Sequence, residues 1–281
     1  MSLTASTNTT ANTALRYLSQ NNAASANSLA KLSSGSRIVK ASDDAASLAI
    51  GTKIRADVTA LKQGQVNASQ GSSVLQVADG ALAQTTEILM RMKALSVQAQ
   101  SGSVSNAERG FLDREFQALS EQIDAIAAQT KFNGEELLDG SFAAGTLDMD
   151  FQVGVASSDT ITVNLADIRT TALTDGTTTI GAAEIDTAAN AELASDSIDG
   201  AIAMINGMRA DVGALMSRFE YASANIATSI ENLDSARSVL LDVDMAAEMS
   251  NFSSKQVMLQ ASVAMLAQAN QQPQQLLRLL N

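Results

Sequence analysis

The chain contains no cysteine and no histidine. Disulfides, thiol nucleophiles, histidine-based triads and the usual zinc and haem ligands are thereby excluded together. Tryptophan is absent and aromatic residues make up only 3% of the sequence, so the 46% apolar content is mostly Ala, Leu, Ile, Val and Met. Small and unbranched residues of this kind suit close packing between helices. Pro273 is the sole proline, which leaves long helices unbroken upstream of it. Basic residues are few as well: 18 Lys and Arg against 30 Asp and Glu give a net charge of −12. That balance argues against nucleic acid and anionic membrane surfaces as partners. No apolar run reaches the ~18 residues that a membrane span needs. The stretch 1–14 lacks a basic segment followed by an apolar core, so no secretory signal peptide is expected there. Carboxylates alone can do acid–base work, but no paired-carboxylate pocket is visible. An enzyme is therefore disfavoured, and no cofactor or metal is expected.

What the sequence does contain is a repeat of seven. Ile198, Ile205, Val212, Phe219, Ile226, Leu233 and Leu240 form one apolar stripe, widened by Ile202, Met216 and Ile230 and interrupted by Arg209 and Arg237. Gly207 and Gly213 each cost roughly 1 kcal/mol against Ala in such a helix. Ile54, Leu61, Ala68, Leu75, Leu82 and Leu89 repeat in the same way up to about Ala99, where Ser101-Gly102-Ser103 breaks the pattern. A third helix, about Asn106 to Gln129, carries Leu112, Phe116, Leu119, Ile123 and Ile126 in strict 4-3 order. A narrow stripe on so long a helix keeps one seam facing a partner helix, in the same chain or in a neighbouring one.

The two ends of the chain mirror one another. Near the N-terminus Leu15, Leu18, Leu29 and Leu32 follow a 4-3 spacing, with Asn22 and Ser25 expected at the seam between them. Near the C-terminus Met245, Met249, Phe252, Leu259, Val263 and Leu266 do the same, and Pro273 is expected to interrupt that helix. Polar seam residues weaken a helix pair but set its register. Gly35 suits a left-handed C-cap, and Asp43, Asp44, Asp242 and Asp244 suit helix N-caps and breaks. Between the halves the period falls to two: Leu147, Met149, Phe151, Val153 and Val155, then Ile161, Val163 and Leu165. This predicts a β-hairpin over about 146–166, preceded by a turn at Phe132-Asn133-Gly134. Residues 167–191 have no clean period and read as a surface loop or short variable segment. The threonine-rich stretch 170–179 within it lacks the aromatics that stack on sugar rings.

The fold class expected is mainly α: a long antiparallel helical bundle or coiled coil formed by the N- and C-terminal halves, with one β-hairpin in the middle. Residues 1–41 and 245–281 form one domain of terminal helices, ordered on assembly, and 42–244 form the other. Leu15, Leu18, Leu29, Leu32, Phe252, Leu259, Val263 and Leu266 are the expected assembly seam. The other heptad residues are the seam of the bundle within the chain.

At these same residues the sequence resembles bacterial flagellin. The likeness is carried by Leu32-Ser33-Ser34-Gly35-Ser36-Arg37-Ile38, Asp43-Asp44-Ala45-Ala46, Asp79-Gly80-Ala81-Leu82 and Thr130-Lys131-Phe132-Asn133-Gly134. Phe151-Gln152-Val153-Gly154 and Met265-Leu266-Ala267-Gln268-Ala269-Asn270-Gln271 add to it. It covers roughly 1–166 and 192–281. The resemblance implies a structural subunit, exported unfolded through the flagellar type III apparatus and polymerised with other copies of itself into the filament used for motility. It further implies an extracellular location, an export chaperone at the C-terminal region, and cap and junction proteins as partners. With only 167–191 left for an insertion, a short form without large outer domains is expected. Arg91, Leu95 and Glu115 match positions the family uses to contact the innate immune receptor TLR5, or they lie on a protofilament contact. Ala94 departs from the receptor-activating pattern, where many members have Glu. The alternatives are a hook–filament junction protein and a flagellin-like adhesin or glycan-binding protein.

Overall fold

The computed structural model of the chain describes residues 8–143, 145–174 and 178–280, with side chains described as far as Gln271. Five helices carry most of it: α1 (Thr9–Ser34), α2 (Ala45–Gln100), α3 (Asn106–Gln129), α4 (Ala188–Leu241) and α5 (Met245–Leu280). Four short strands lie between α3 and α4: β1 (Lys131–Phe132), β2 (Glu135–Glu136), β3 (Met149–Gln152) and β4 (Thr160–Val163). The described residues form two compact units, one made of the chain up to Ala56 and from Asn232 onward, the other of Asp57–Glu231.

In the Asp57–Glu231 unit α2 and α4 pack antiparallel. Asp79 pairs with Arg209 (3.0 Å), Lys93 with Asp199 (2.5 Å), and the Ser96 hydroxyl donates to the Ala191 carbonyl at 2.6 Å. Position numbers fall along one helix as they rise along the other, as a seam between opposed helices requires. Leu75, Leu82, Leu89, Phe116, Ile198, Ile205, Val212 and Phe219 all belong to one buried apolar cluster. Leu61 and Ile226 are also buried, and Leu112 and Leu119 lie half-buried. The seven-residue stripes thus face each other, and Arg209, which interrupts one of them, sits at the edge and pairs with Asp79.

The α2–α3 turn is fastened by Arg109. This side chain is only 7% exposed. Its Nε donates to the Ala99 carbonyl (2.6 Å), Nη2 to the Ser101 carbonyl (3.1 Å) and Nη1 to Asn106 Oδ1 (2.7 Å). A guanidinium thus closes the end of α2, where unpaired carbonyls concentrate negative potential. Ser105 and Glu108 form a reciprocal capping box at the start of α3.

The hairpin expected over 146–166 forms as β3–β4, with Met149 opposite Val163 and Phe151 opposite Ile161. Phe151 meets Phe219 edge-on, with ring centroids 5.5 Å apart. The Asn67 amide donates to the Gln152 carbonyl at 2.9 Å, which fixes the hairpin to α2. Asn133 and Gly134 both adopt positive φ, 52° and 92°. They are the tight turn of a second, two-residue hairpin, β1–β2, where the sequence pattern gives a turn alone.

Residues 167–191 differ from the expected surface loop. Ile168, Leu173, Ile180 and Ile185 are completely buried. One stripe of α3 holds the backbone that carries them. Asp113 accepts from Ile185 N (3.0 Å), Gln117 donates to the Ala183 carbonyl (3.0 Å), and Asp124 accepts from Thr170 N (2.8 Å) and Oγ1 (2.9 Å). Buried apolar residues at irregular spacing pack against fixed partners without repeating, so no period reveals them. Residues 175–177, part of the threonine-rich stretch, lie outside the described residues.

In the other unit α1 packs against α5, and the last turn of α4 against the start of α2. The two connectors pair as well. Arg37 N donates to the Leu241 carbonyl (2.6 Å), Val243 N to the Gly35 carbonyl (3.1 Å), and Ser36 bridges Asp242. Gly35, at φ 68°, ends α1 in the left-handed region. Asp44 Oδ1 accepts from Ser47 N at the start of α2, and Asp244 Oδ1 accepts from Ala246 N and Ala247 N at the start of α5. Asp43 instead holds Val39 N and Lys40 N in the preceding turn. Pro273 does not interrupt α5, whose backbone stays helical to Leu280. Proline withdraws one N–H and crowds the carbonyl four residues back. The helix-forming Gln and Leu residues on either side carry the turn past it.

Candidate functional site

The terminal pair begins with Asn8. Its Oδ1 accepts from Ala11 N (3.0 Å), capping α1, while its Nδ2 donates to the Ala269 carbonyl of α5 (2.9 Å). Farther along, Asn21 Nδ2 donates to Ser262 Oγ at 3.0 Å. Ser28 and Ala269 are the buried residues among those described on the two helices. The seam between α1 and α5 is therefore mixed: small and polar residues stand among the half-buried Leu18, Leu32, Phe252, Leu259 and Leu266. It runs through Asn21, Ser25 and Ser28, so the reading that puts Asn22 in it is off by one position: Asn22 is exposed. At 3.6 residues per turn a shift of one rotates a side chain by about 100°, off the contact.

Other large apolar side chains lie on outer faces. Leu15 is 56% exposed, Leu29 55% and Val263 53%. Leu18, Leu32, Phe252, Leu259 and Leu266 are half-buried. Of the expected assembly residues, the structure thus directs one group partly toward the partner helix and leaves another on outer faces. Tyr17, Met249, Val257 and Met265 add to those outer faces, each more than half exposed. An open groove of about 690 Å³ runs between α1 and α5, lined by Thr10, Thr13, Ala14, Tyr17, Met258, Ala261 and Met265 among others. Periodicity does not single out Tyr17 and Met258; the signal lies in their position one face away from the leucine stripe.

On α2 and α3 a second surface feature forms. Arg91 donates through Nε (2.9 Å) and Nη2 (2.5 Å) to Glu115 Oε1, and both side chains are about half exposed. Leu95 does not join them. It is 1% exposed, on the inward face of α2 with Met92 and Ala99, so any contact at this patch falls to Arg91, Glu115 and the exposed Ala94.

Charge around the caps is tuned by backbone donors. N–H groups of Lys40, Ser47 and Ser105 hold the carboxyls of Asp43, Asp44 and Glu108, respectively, below the usual carboxylate range. The Ser141 hydroxyl does the same for Asp139. The Asp167 carboxylate, bound to Arg169 by paired hydrogen bonds, raises the Arg169 guanidinium further. The carboxylate shifts mark structural capping, since each carboxylate faces the backbone or serine of its own turn. Among the described residues no three His, Cys, Asp or Glu side chains converge on a metal position. No described helix is long and apolar enough to cross a membrane.

Comparison with known proteins agrees with this architecture. Residues 5–143 match the bacterial flagellin N-terminal helical region, and residues 195–280 match the bacterial flagellin C-terminal helical region. The chain is 40% identical to the flagellin of Bacillus subtilis over 95% of its length and 96% of that protein's. It is 41% identical to the flagellin of Halalkalibacterium halodurans, covering 89% of each. Its fold is similar to the crystal structure of Bacillus cereus flagellin, with a TM-score of 0.50 and 35% identity, over 57% of this chain and 88% of that one. The matched regions take in all of α1, α2, α3 and α5, and most of α4. With paired ends, opposed heptad helices and a hairpin between them, the chain belongs to the bacterial flagellins, the structural, non-enzymatic subunits of the extracellular flagellar filament.

Proposed function

We propose that assembly into the filament works by completing the terminal helices. The observation that carries this reading is the exposure of Leu15, Leu29 and Val263 on two helices of which, among the described residues, only Ser28 and Ala269 are buried. An α1–α5 pair with so little apolar burial gains little from its own contact. Neighbouring copies supply the missing faces, and ordering and assembly then proceed together. Residues 1–41 and 245–281 act as the inner core, with Leu15, Leu18, Leu29, Leu32, Phe252, Leu259, Val263 and Leu266 as its seam. Residues 42–244 form the layer around it. A surface that meets a different surface on the next copy builds an open helical polymer.

Export in an unfolded state fits ends that are stable only once joined. Further partners follow from the family: an export chaperone at the C-terminal region, and cap and junction proteins at the filament's ends. The exposed Arg91–Glu115 pair is the place for a protofilament contact, or for the receptor TLR5 on a free subunit. The central test replaces Leu29 or Val263 with Ser in the full chain. The subunit should keep its helical content yet fail to elongate filament seeds, read by pelleting and electron microscopy. Normal filaments from both variants would overturn the mechanism.

A further inference from the structure

Lacking cysteine, histidine and tryptophan but carrying 11 methionines, the chain presents oxidants chiefly with thioethers. These differ sharply in access. Met92 is 0% exposed, whereas Met258 is 40% and Met265 64% exposed. Met258 and Met265 stand seven residues apart on α5, hence on one stripe, and both line the groove opposite Tyr17 of α1. Three of the hydroxyls around them already donate elsewhere: Thr10 to Asn8, Thr13 to the Thr9 carbonyl, and Ser262 to the Met258 carbonyl.

We propose that Met258 and Met265 form an oxidation-sensitive site that controls whether a free subunit can assemble. This rests on the reading that neighbouring copies cover the terminal helices. The oxidant is a peroxide or hypochlorous acid. With hydrogen peroxide, a sulfur lone pair attacks one oxygen and the O–O bond breaks. Sulfur gains an S–O bond and is oxidised by two electrons, and the second oxygen leaves as water. The product is a polar, chiral sulfoxide in place of a flexible apolar side chain. Covering it with a neighbour's apolar surface strands a strong acceptor without a donor. Within a filament the same sulfurs are shielded, so the site reports assembly as well as controlling it. Reduction of the sulfoxide returns the thioether and restores the subunit.

The experiment treats full-length subunits and preformed filaments with graded hydrogen peroxide, maps each methionine by peptide mass spectrometry, and measures seeded elongation. Oxidation at Met258 and Met265 should slow elongation at least tenfold, and a pair of methionine sulfoxide reductases should restore it. Both residues should be protected in filaments. The loss should track these two positions and not Met90, which is 54% exposed on α2. A Met258→Leu/Met265→Leu chain should elongate equally well before and after peroxide. Unchanged elongation by subunits oxidised at both positions, or loss that tracks Met90 instead, would overturn the proposal. So would a double-leucine chain as sensitive as the native one. If that chain assembles poorly even untreated, the position-by-position correlation and the reductase recovery decide. Failure of the untreated native subunit to elongate at all would strike the assembly reading instead.

Discussion

Phe219 on α4 aims its ring tip at Gly71 on α2, so closely that a β-carbon at Gly71 would lie 2.6 Å from Phe219 Cζ. The same ring meets Phe151 in a T-shaped contact and is 1% exposed. A glycine on one helix thus seats an aromatic from the next, and that aromatic seats the hairpin. Gly71→Ala should destabilise the subunit by up to about 2 kcal/mol, because overpacking of about 1–3 kcal/mol is offset only in part by a helix-propensity gain of about 1 kcal/mol. Phe219→Ala should cost about 3–5 kcal/mol. Urea unfolding of the singles and the double would show strong coupling between them.

Gly213 makes the opposite case. A β-carbon there meets nothing within 4 Å, and the backbone is helical. Gly213→Ala should therefore stabilise the free subunit by about 0.5–1 kcal/mol. The urea midpoint should rise with an unchanged slope.

Arg109 is buried with three acceptors and closes the α2–α3 turn. Arg109→Met leaves those acceptors unpaired, at a cost of about 2–4 kcal/mol. Arg109→Lys should recover only part of this, since an ammonium lacks the planar fork that reaches all three. Hydrogen exchange at the end of α2 and the start of α3 would report the loss locally.

The capping carboxylates set an acid limit. Asp43, Asp44, Glu108 and Asp139 all titrate lower when folded than their ordinary values. Their contribution is complete above about pH 5, where the unfolded carboxyls are also ionised, and is lost as pH falls through the depressed folded values. Subunit stability should therefore decline from about pH 5 toward about pH 2. A Glu108→Gln/Asp139→Asn chain should be less stable at about pH 7 and show a shallower decline, followed by circular dichroism.

Core and surface leucines should separate cleanly. Leu75→Ala removes a side chain with 0% exposure and should cost about 2–5 kcal/mol of subunit stability. Leu15→Ser, at 56% exposure, should change it by no more than about 0.5 kcal/mol while abolishing seeded elongation. Thermal melts of the free subunit and pelleting assays would distinguish the two effects.

Much of this architecture is legible in the residues alone, for a physical reason. Long helices that bury one stripe repeat every seven residues, so Ile198 through Ile226 and Leu61 through Leu89 announce both their helices and their faces. Caps are legible because Gly35, Asp44 and Asp244 act within their own turns. Two things are not. Ile168, Leu173, Ile180 and Ile185 fill gaps at irregular intervals, held by Asp113, Gln117 and Asp124 from a distant helix, and such pairing leaves no local pattern. At the ends, the leucine stripe reads as one seam, yet Leu15, Leu29 and Val263 face outward while Leu18, Leu32, Phe252, Leu259 and Leu266 lie half-buried beside Asn21, Ser28 and Ala269. Apolar spacing reveals which face seeks cover; it does not say which molecule provides it. Leu95 shows the same limit, since a match of type places it beside Arg91 and Glu115 while helix rotation turns it inward.

The paired connectors have a consequence for how the ends find each other. Arg37 N on the Leu241 carbonyl and Val243 N on the Gly35 carbonyl hold the roots of α1 and α5 side by side, although they stand far apart along the chain. Each helix therefore meets the other as a tethered neighbour, at a local concentration that no dilution of the subunit reduces. Severing that tether, for instance by Gly35→Val, would turn one intramolecular zipper into two loose tails.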